Sequence, residues 1–189
     1  METFKQLPKE PEKDFEEGEL VKEGKLGVDI RGMEEKVLNP EQLKTLESFR
    51  TFFAGGSDKP PEGFADDKDI MMFAVREYWF ALVFASEKLK DDKEVVLASV
   101  ETNGESLQYA SKRLRENREV VLTAIQDFGT NLKFADPKFY LNKEIVIEAI
   151  KNTREDKQNE ILLLLPQKLK DDPDIVEALK NPKKFSFEN

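Results

Sequence analysis

The strongest constraint on the fold of this chain is that it repeats itself every 25 residues. The stretch DKEVVLASVETNGESLQYA begins at Asp92, and the similar stretch NREVVLTAIQDFGTNLKFA begins at Asn117. Aligned on the polar residue before each apolar run, further units begin at Asp67, Asn142 and Asp172, and the fourth unit has five additional residues. Repetition at such a period is typical of arrays in which every unit buries its apolar face against its neighbours.

The first half of each unit predicts a helix. Its first residue is Asp or Asn, whose side-chain oxygen can accept the free amides of a helix N-terminus, and an acid two positions later favours the same positive end. The residue between them is Lys or Arg in four units and Pro173 in the fifth. Apolar residues follow with helical spacing, so that one face of the helix can be buried.

The second half of each unit predicts another short helix after a break. Gly104 and Gly129 follow the first helix of the second and third units, and we interpret them as C-caps in the left-handed conformation that glycine favours. Helices of about ten residues are marginal alone, so stacking has to supply their burial. The sequence therefore predicts an all-α protein, a solenoid-like array of two-helix units.

The repeated pattern is similar to that of a known family. The pattern D-K-E-V-V-L-A-(S/A)-V-x-x-N-G, followed by L-x-(Y/F)-A-S, resembles the short helical repeats called domain of unknown function 4116. The resemblance covers residues 67–181 and is clearest over 92–141. It implies a helical array and supplies no catalytic residues. The chain departs from the pattern at Trp79, which occupies the glycine position, and over the stretch KNTREDKQNEILLLLPQ.

Outside the repeats the sequence predicts three other segments. Residues 1–38 predict an extended acidic arm, and 39–66 a capping helix with a linker, because Asn39 and Pro40 mark a helix start and Gly55–Gly56 a helix end. Residues 182–189 form a tail. The units themselves cover residues 67–91, 92–116, 117–141, 142–171 and, as a partial unit, 172–181.

Composition narrows the classes of function. The chain has a net charge of −9 and contains neither Cys nor His, which removes most nucleophile pairs and transition-metal sites. We expect no catalytic residue, cofactor or metal. An acidic chain is a poor match for nucleic acid and for anionic membranes. No apolar run approaches the ~20 residues of a membrane span, and no secretory signal is evident. We expect the cytoplasm, or an organelle or host compartment if the protein belongs to a larger assembly.

Three sequence features have competing interpretations. The acidic triplets ADDKD, KDDKE and KDDPD could bind calcium, but they lack EF-hand spacing, and we favour helix caps. The aromatic run around Trp79 and Phe80 predicts core packing against the capping helix, with either residue as an alternative partner anchor. The stretch REDKQNE at 154–160 predicts a solvated turn, or else a binding loop.

These features favour a non-enzymatic protein–protein interaction or scaffold module. We expect an accessory subunit of a larger protein assembly whose arm contacts neighbours. The alternatives are a free-standing adaptor that binds transiently and, less favoured, an enzyme using only carboxylate, Lys and Tyr chemistry. The candidate partner-binding residues are Phe4, Phe15, Leu20, Trp79, Phe80, Arg113, Arg115, Phe185 and Phe187.

Overall fold

The computed structural model describes residues 38–56 and 60–181, and within these ranges the chain forms helices and no β-strand. Residues 1–37 of the arm and the whole tail lie outside the described residues, and with them Phe4, Phe15, Leu20, Phe185 and Phe187. The α-helices are α1 (Pro40–Thr51), α2 (Lys68–Glu77), α3 (Glu87–Lys90), α4 (Lys93–Thr102), α5 (Lys112–Arg115), α6 (Arg118–Asp127), α7 (Lys143–Lys151), α8 (Gln158–Leu164), α9 (Gln167–Lys170) and α10 (Pro173–Lys180). The 3-10 helices are Trp79–Phe84, Gly104–Tyr109, Gly129–Phe134, Pro137–Leu141 and Glu155–Lys157.

All five predicted N-caps are confirmed. The side chains of Asp67, Asp92, Asn117, Asn142 and Asp172 each accept a hydrogen bond from a backbone amide two or three residues later. They begin α2, α4, α6, α7 and α10, the first helices of units 1 to 5. The acidic triplets that could have suggested calcium thus contain the caps of three of these helices.

The predicted role of Gly104 and Gly129 is wrong. Among the described residues the glycines with positive φ are Gly55 and Gly63, whereas Gly104 and Gly129 begin 3-10 helices after extended residues. Each packs against the first helix of the next unit. A Cβ on Gly129 would overlap the carbonyl oxygen of Ala149 and lie 2.6 Å from its carbonyl carbon. Glycine is present because two backbones meet there, which is a tertiary requirement.

The second half of each unit was predicted to be one helix, but in the structure it is divided into separate helical segments. In unit 2 the 3-10 helix Gly104–Tyr109 ends at the extended residue Ala110, and the single turn α5 then begins. The Ala-Ser pair of the repeated pattern explains the break, because the hydroxyl of Ser111 accepts a hydrogen bond from the Leu114 amide as an N-cap. Leu114 is fully buried between the units.

The units stack through their first helices. Helix α2 packs on α4, α4 on α6, α6 on α7, and α7 on α10. The cation after each of the first four caps reaches the next unit. Ion pairs thus join Lys68 to Asp92 and Glu94, Lys93 to Glu119, Arg118 to Glu144, and Lys143 to Asp172 and Asp174. We call this row the cap ladder.

The 25-residue register continues into the segment predicted to be a capping helix and linker. Phe64 is 1% exposed and precedes the buried residues Leu89 and Leu114 by one and two repeat lengths. The Ser86 amide donates to the carbonyl oxygen of Ala65, as the Ser111 amide does to that of Lys90. Residues 39–66 therefore end as the later units do.

The aromatic run packs as core against α1 and the π-helix Phe52–Gly56 that follows it. Phe53 stacks on Tyr78 at 5.3 Å between ring centroids and meets Phe80 edge-on at 4.7 Å. Phe49, which is fully buried, stacks on Phe64 at 3.7 Å. This cluster supplies the burial that α1 needs.

Candidate interaction surface

A second row of contacts joins the units on the side of their single turns. At the junction of units 1 and 2, Arg113 Nε lies 2.9 Å from Asp91 Oδ1, and the Ser111 hydroxyl donates to the same carboxylate. At the junction of units 2 and 3, Lys138 Nζ lies 3.2 Å from Glu116 Oε2. We call this row the turn ladder.

The backbone follows the turn ladder at the same junctions. The Ser111 amide donates to Lys90 O at 2.9 Å, and the Asp136 amide to Arg115 O at 3.0 Å. Each of these two junctions therefore combines one amide–carbonyl bond with one ion pair.

Within the described residues, the junction of units 3 and 4 has neither the ion pair nor the backbone hydrogen bond of the turn ladder. Leu141 stands where Asp91 and Glu116 stand earlier and is 67% exposed. Pro166 takes the place of Ser111 and Asp136, and proline has no amide hydrogen to donate. Lys168, which corresponds to Arg113 and Lys138, is exposed and forms no ion pair with the described residues.

A groove of about 410 Å³ lies at the same junction. Its lining includes Phe128 and Lys133 from unit 3 and Arg154 and Lys157 from unit 4. Phe128 is 48% exposed and occupies the position of Asn103, whose side chain accepts a hydrogen bond from the Glu105 amide. Phenylalanine cannot make that cap, so the 3-10 helix Gly129–Phe134 begins without a side-chain cap, and an aromatic ring is exposed instead.

One wall of the groove comes from the part of unit 4 in which the chain departs from the repeat pattern. Residues 154–157 are exposed and contain the 3-10 helix Glu155–Lys157, after which α8 begins at the buried Gln158. The stretch predicted as a solvated turn is thus a helical continuation. Helix α8 also exposes Leu163, which at 81% is the most exposed large hydrophobic residue in the described part of the chain.

The structure places the predicted partner-binding residues as follows. Phe80 is only 7% exposed, so it cannot act as a surface anchor in this conformation, and its interpretation as core is confirmed. Trp79 is half-buried, and its ring stacks on that of Tyr109 at 6.4 Å. Arg113 is held by Asp91. Arg115 is partly buried, and its Nε has no hydrogen-bond partner among the described residues.

Electrostatics fit a structural role for the paired carboxylates. Hydrogen bonds from the Ser111 hydroxyl and then from Arg113 lower the pKa of the Asp91 carboxyl. The hydrogen bond from Lys143 lowers the pKa of Asp172. These groups stay ionised and hold neighbouring units together. In residues 38–56 and 60–181, no group of three or more acidic side chains is placed to hold a metal ion, and no helix has the length and apolarity of a membrane span.

Sequence reasoning missed Phe128, Leu141 and Leu163. The signal was available, because aligned units show an apolar residue replacing Asn at 128 and replacing an acid at 141. An apolar residue at an exposed repeat position becomes evident only when the units are aligned and compared position by position.

The fold and this surface define a helical-repeat protein. Residues 67–115 and 117–156 match the family model described as Domain of unknown function (DUF4116), which confirms the resemblance. Residues 67–156 thus carry two adjacent repeats of that domain. No curated protein and no solved structure matched the chain.

Proposed function

We propose that this protein is a non-enzymatic interaction module, an accessory subunit that helps to hold a larger protein assembly together. The observation that carries the proposal is the junction of units 3 and 4, where Phe128, Leu141 and Leu163 expose large apolar side chains. The three positions of unit 2 that correspond to these residues are all polar. Exposed apolar residues that lower local stability are characteristic of surfaces that bind partners.

The other junctions support the same proposal by contrast. At the junctions of units 1 and 2 and of units 2 and 3 the turn ladder is complete, and no large hydrophobic residue of units 1 and 2 is exposed. An array that only had to fold would gain from repeating that arrangement at every step. In this proposal, residues 1–38 supply a second contact with a neighbouring subunit through Phe4, Phe15 and Leu20.

The native size of the protein in gentle lysates of its source tests this proposal. We expect the full chain to elute in gel filtration well above its own mass, with co-eluting chains identified by mass spectrometry. A Phe128→Asn variant, which carries the residue of unit 2, should reduce co-elution, as should deletion of residues 1–37. Elution of the full chain alone at its own mass would refute the subunit proposal.

The half-exposed Phe128 favours a second candidate within the same class. A free-standing adaptor would bind its partner transiently through this aromatic groove without forming a stable assembly. Crosslinking before lysis separates the two, because a transient partner is captured only in crosslinked cells, whereas a stable one is recovered without crosslinking.

A further inference from the structure

The turn ladder loses its carboxylate at one junction while keeping its cation. Asp91 and Glu116 end units 1 and 2, and each pairs with a base in the following unit. Unit 3 ends in Leu141, yet unit 4 still supplies Lys168 at the equivalent position. This register is secure because the residues around it correspond: Leu165 to Ala135, and Asp172 to Asn142.

The loss makes the surface chemically incomplete. Lys168 is exposed without an ion pair in the described part of the chain, and the register of the turn ladder sets it opposite Leu141, whose side chain is 67% exposed. Leu141 is the last residue of unit 3. A second exposed leucine, Leu163, lies in unit 4, five residues before Lys168. A cation next to exposed aliphatic groups complements a surface that offers a carboxylate and apolar side chains.

We infer that the surface around Leu141 and Lys168 binds a polypeptide segment of a partner protein that carries an acidic side chain beside an apolar one. The partner's carboxylate takes the place that Asp91 and Glu116 fill at the earlier junctions, and its apolar side chain covers Leu141. This inference rests on the proposed interaction function and specifies the chemistry of the partner.

The charges argue against a phosphate-rich ligand. Nucleic-acid recognition needs several cations that neutralise successive phosphates, whereas this surface offers Lys168 among leucines. Two other cations of unit 4, Arg154 and Lys157, are already paired with Asp156 and Glu160. A short acidic and apolar peptide therefore matches the surface better than a polyanion.

A random dodecapeptide display library panned on the full chain tests the inference without assuming a partner. We expect enriched peptides to share an Asp or Glu adjacent to Leu, Ile, Val or Phe. Binding of a synthetic enriched peptide, measured by fluorescence anisotropy, should weaken at least tenfold in Lys168→Glu. The same loss is expected in Leu141→Glu, which restores within the chain the acid found at Glu116.

The matched control is Val176→Glu, which places the same charge on an exposed apolar residue of unit 5. It should bind the peptide as the original chain does. Leu141→Glu should melt at or above the temperature of the original chain, because its new carboxylate can pair with Lys168. Loss of binding with retained stability would then report on the surface and not on folding.

Several outcomes would overturn the inference. They are enrichment of basic or uncharged peptides, equal binding by Leu141→Glu, equal loss in Val176→Glu, or no enrichment at all. The proposed function has a separate readout, because co-elution from the source could persist in both Leu141→Glu and Lys168→Glu. In that case the protein would be an interaction module that uses a different surface.

Discussion

Replacing Gly129 tests whether this glycine is required by tertiary packing or by its backbone conformation. We predict that Gly129→Ala destabilises the protein severely, because the added Cβ would overlap the Ala149 carbonyl oxygen of the next unit. The obstacle is backbone, so it cannot be avoided by a change of side-chain rotamer. The 3-10 helix Gly129–Phe134 would have to move away from α7.

The size of the effect follows from three contributions. Overpacking in a close-packed interior costs about 1–3 kcal/mol, and a backbone obstacle places this case at the upper end. Moving the 3-10 helix away from α7 also weakens the hydrogen bond from the Gly129 amide to Asn152 O, which is 2.9 Å long. That loss costs about 1 kcal/mol. The lower freedom of alanine in the unfolded chain offsets roughly 0.4–1 kcal/mol. The net loss is about 3 kcal/mol.

Urea unfolding followed by circular dichroism would measure this loss. In a chain of this length it should also lower the melting temperature by about 6–12 °C. The decisive comparison uses asparagine, which tolerates the left-handed conformation. Gly63 has a φ of 77° and open space around it, so Gly63→Asn should cost only the strain of the left-handed conformation, about 1 kcal/mol. Gly129→Asn should be at least as damaging as Gly129→Ala. Near-normal stability in either Gly129 variant would refute the close-approach argument.

Three other predictions concern the caps and the ladders. Phe128→Asn should raise the free energy of unfolding by about 0.5–1 kcal/mol, because asparagine can accept the Thr130 amide as Asn103 accepts that of Glu105; unchanged or lower stability in urea unfolding would contradict the cap argument. Lys68→Met should lower the free energy of unfolding by less than about 1 kcal/mol, because the ion pairs of Lys68 with Asp92 and Glu94 are partly exposed. That difference should shrink in 0.5 M NaCl, and a difference that is insensitive to salt would point to packing instead of charge. The lowered pKa values of Asp91 and Asp172 imply that their contribution to stability is present above the pKa of an unfolded Asp and is lost as pH falls through the lower folded-state values. Urea midpoints should therefore be level between pH 5 and 7 and drop below pH 4, and Asp91→Asn should reduce that drop.

The parts of the fold that could be predicted from the sequence are those that depend on local chemistry. An Asp or Asn before an apolar helical pattern makes the same cap whatever it packs against, so the starts at Asp67 and Asn142 were predictable. The Asn39–Pro40 start of α1 was predictable for the same reason.

The errors arise where distant backbones meet. A glycine after a helix is compatible with a left-handed cap and with close contact to another helix, and the sequence of one unit does not distinguish them. Only the position of Ala149 in the next unit decides the matter for Gly129. The division of the second helix at Ala110–Ser111 depends likewise on the amide of Ser111 reaching the preceding unit.

The candidate surface was missed for a different reason. Aromatic residues such as Phe80 attracted attention by their type, but type does not reveal exposure, and Phe80 is buried. Leu141 and Phe128 become informative only through what the other units carry at the same positions.

The constant length of the units has a consequence for how such a chain can change size. Deleting or tandemly duplicating one 25-residue segment, such as 92–116, would join the end of one unit to the beginning of an equivalent one. Every new boundary would bring together the same repeat positions that meet at existing boundaries, including a Lys or Arg after one cap and an acid near the next. Duplication upstream of Asn117 would therefore move the surface at units 3 and 4 farther from α1 without altering it. The array could serve as a spacer whose length changes in fixed steps.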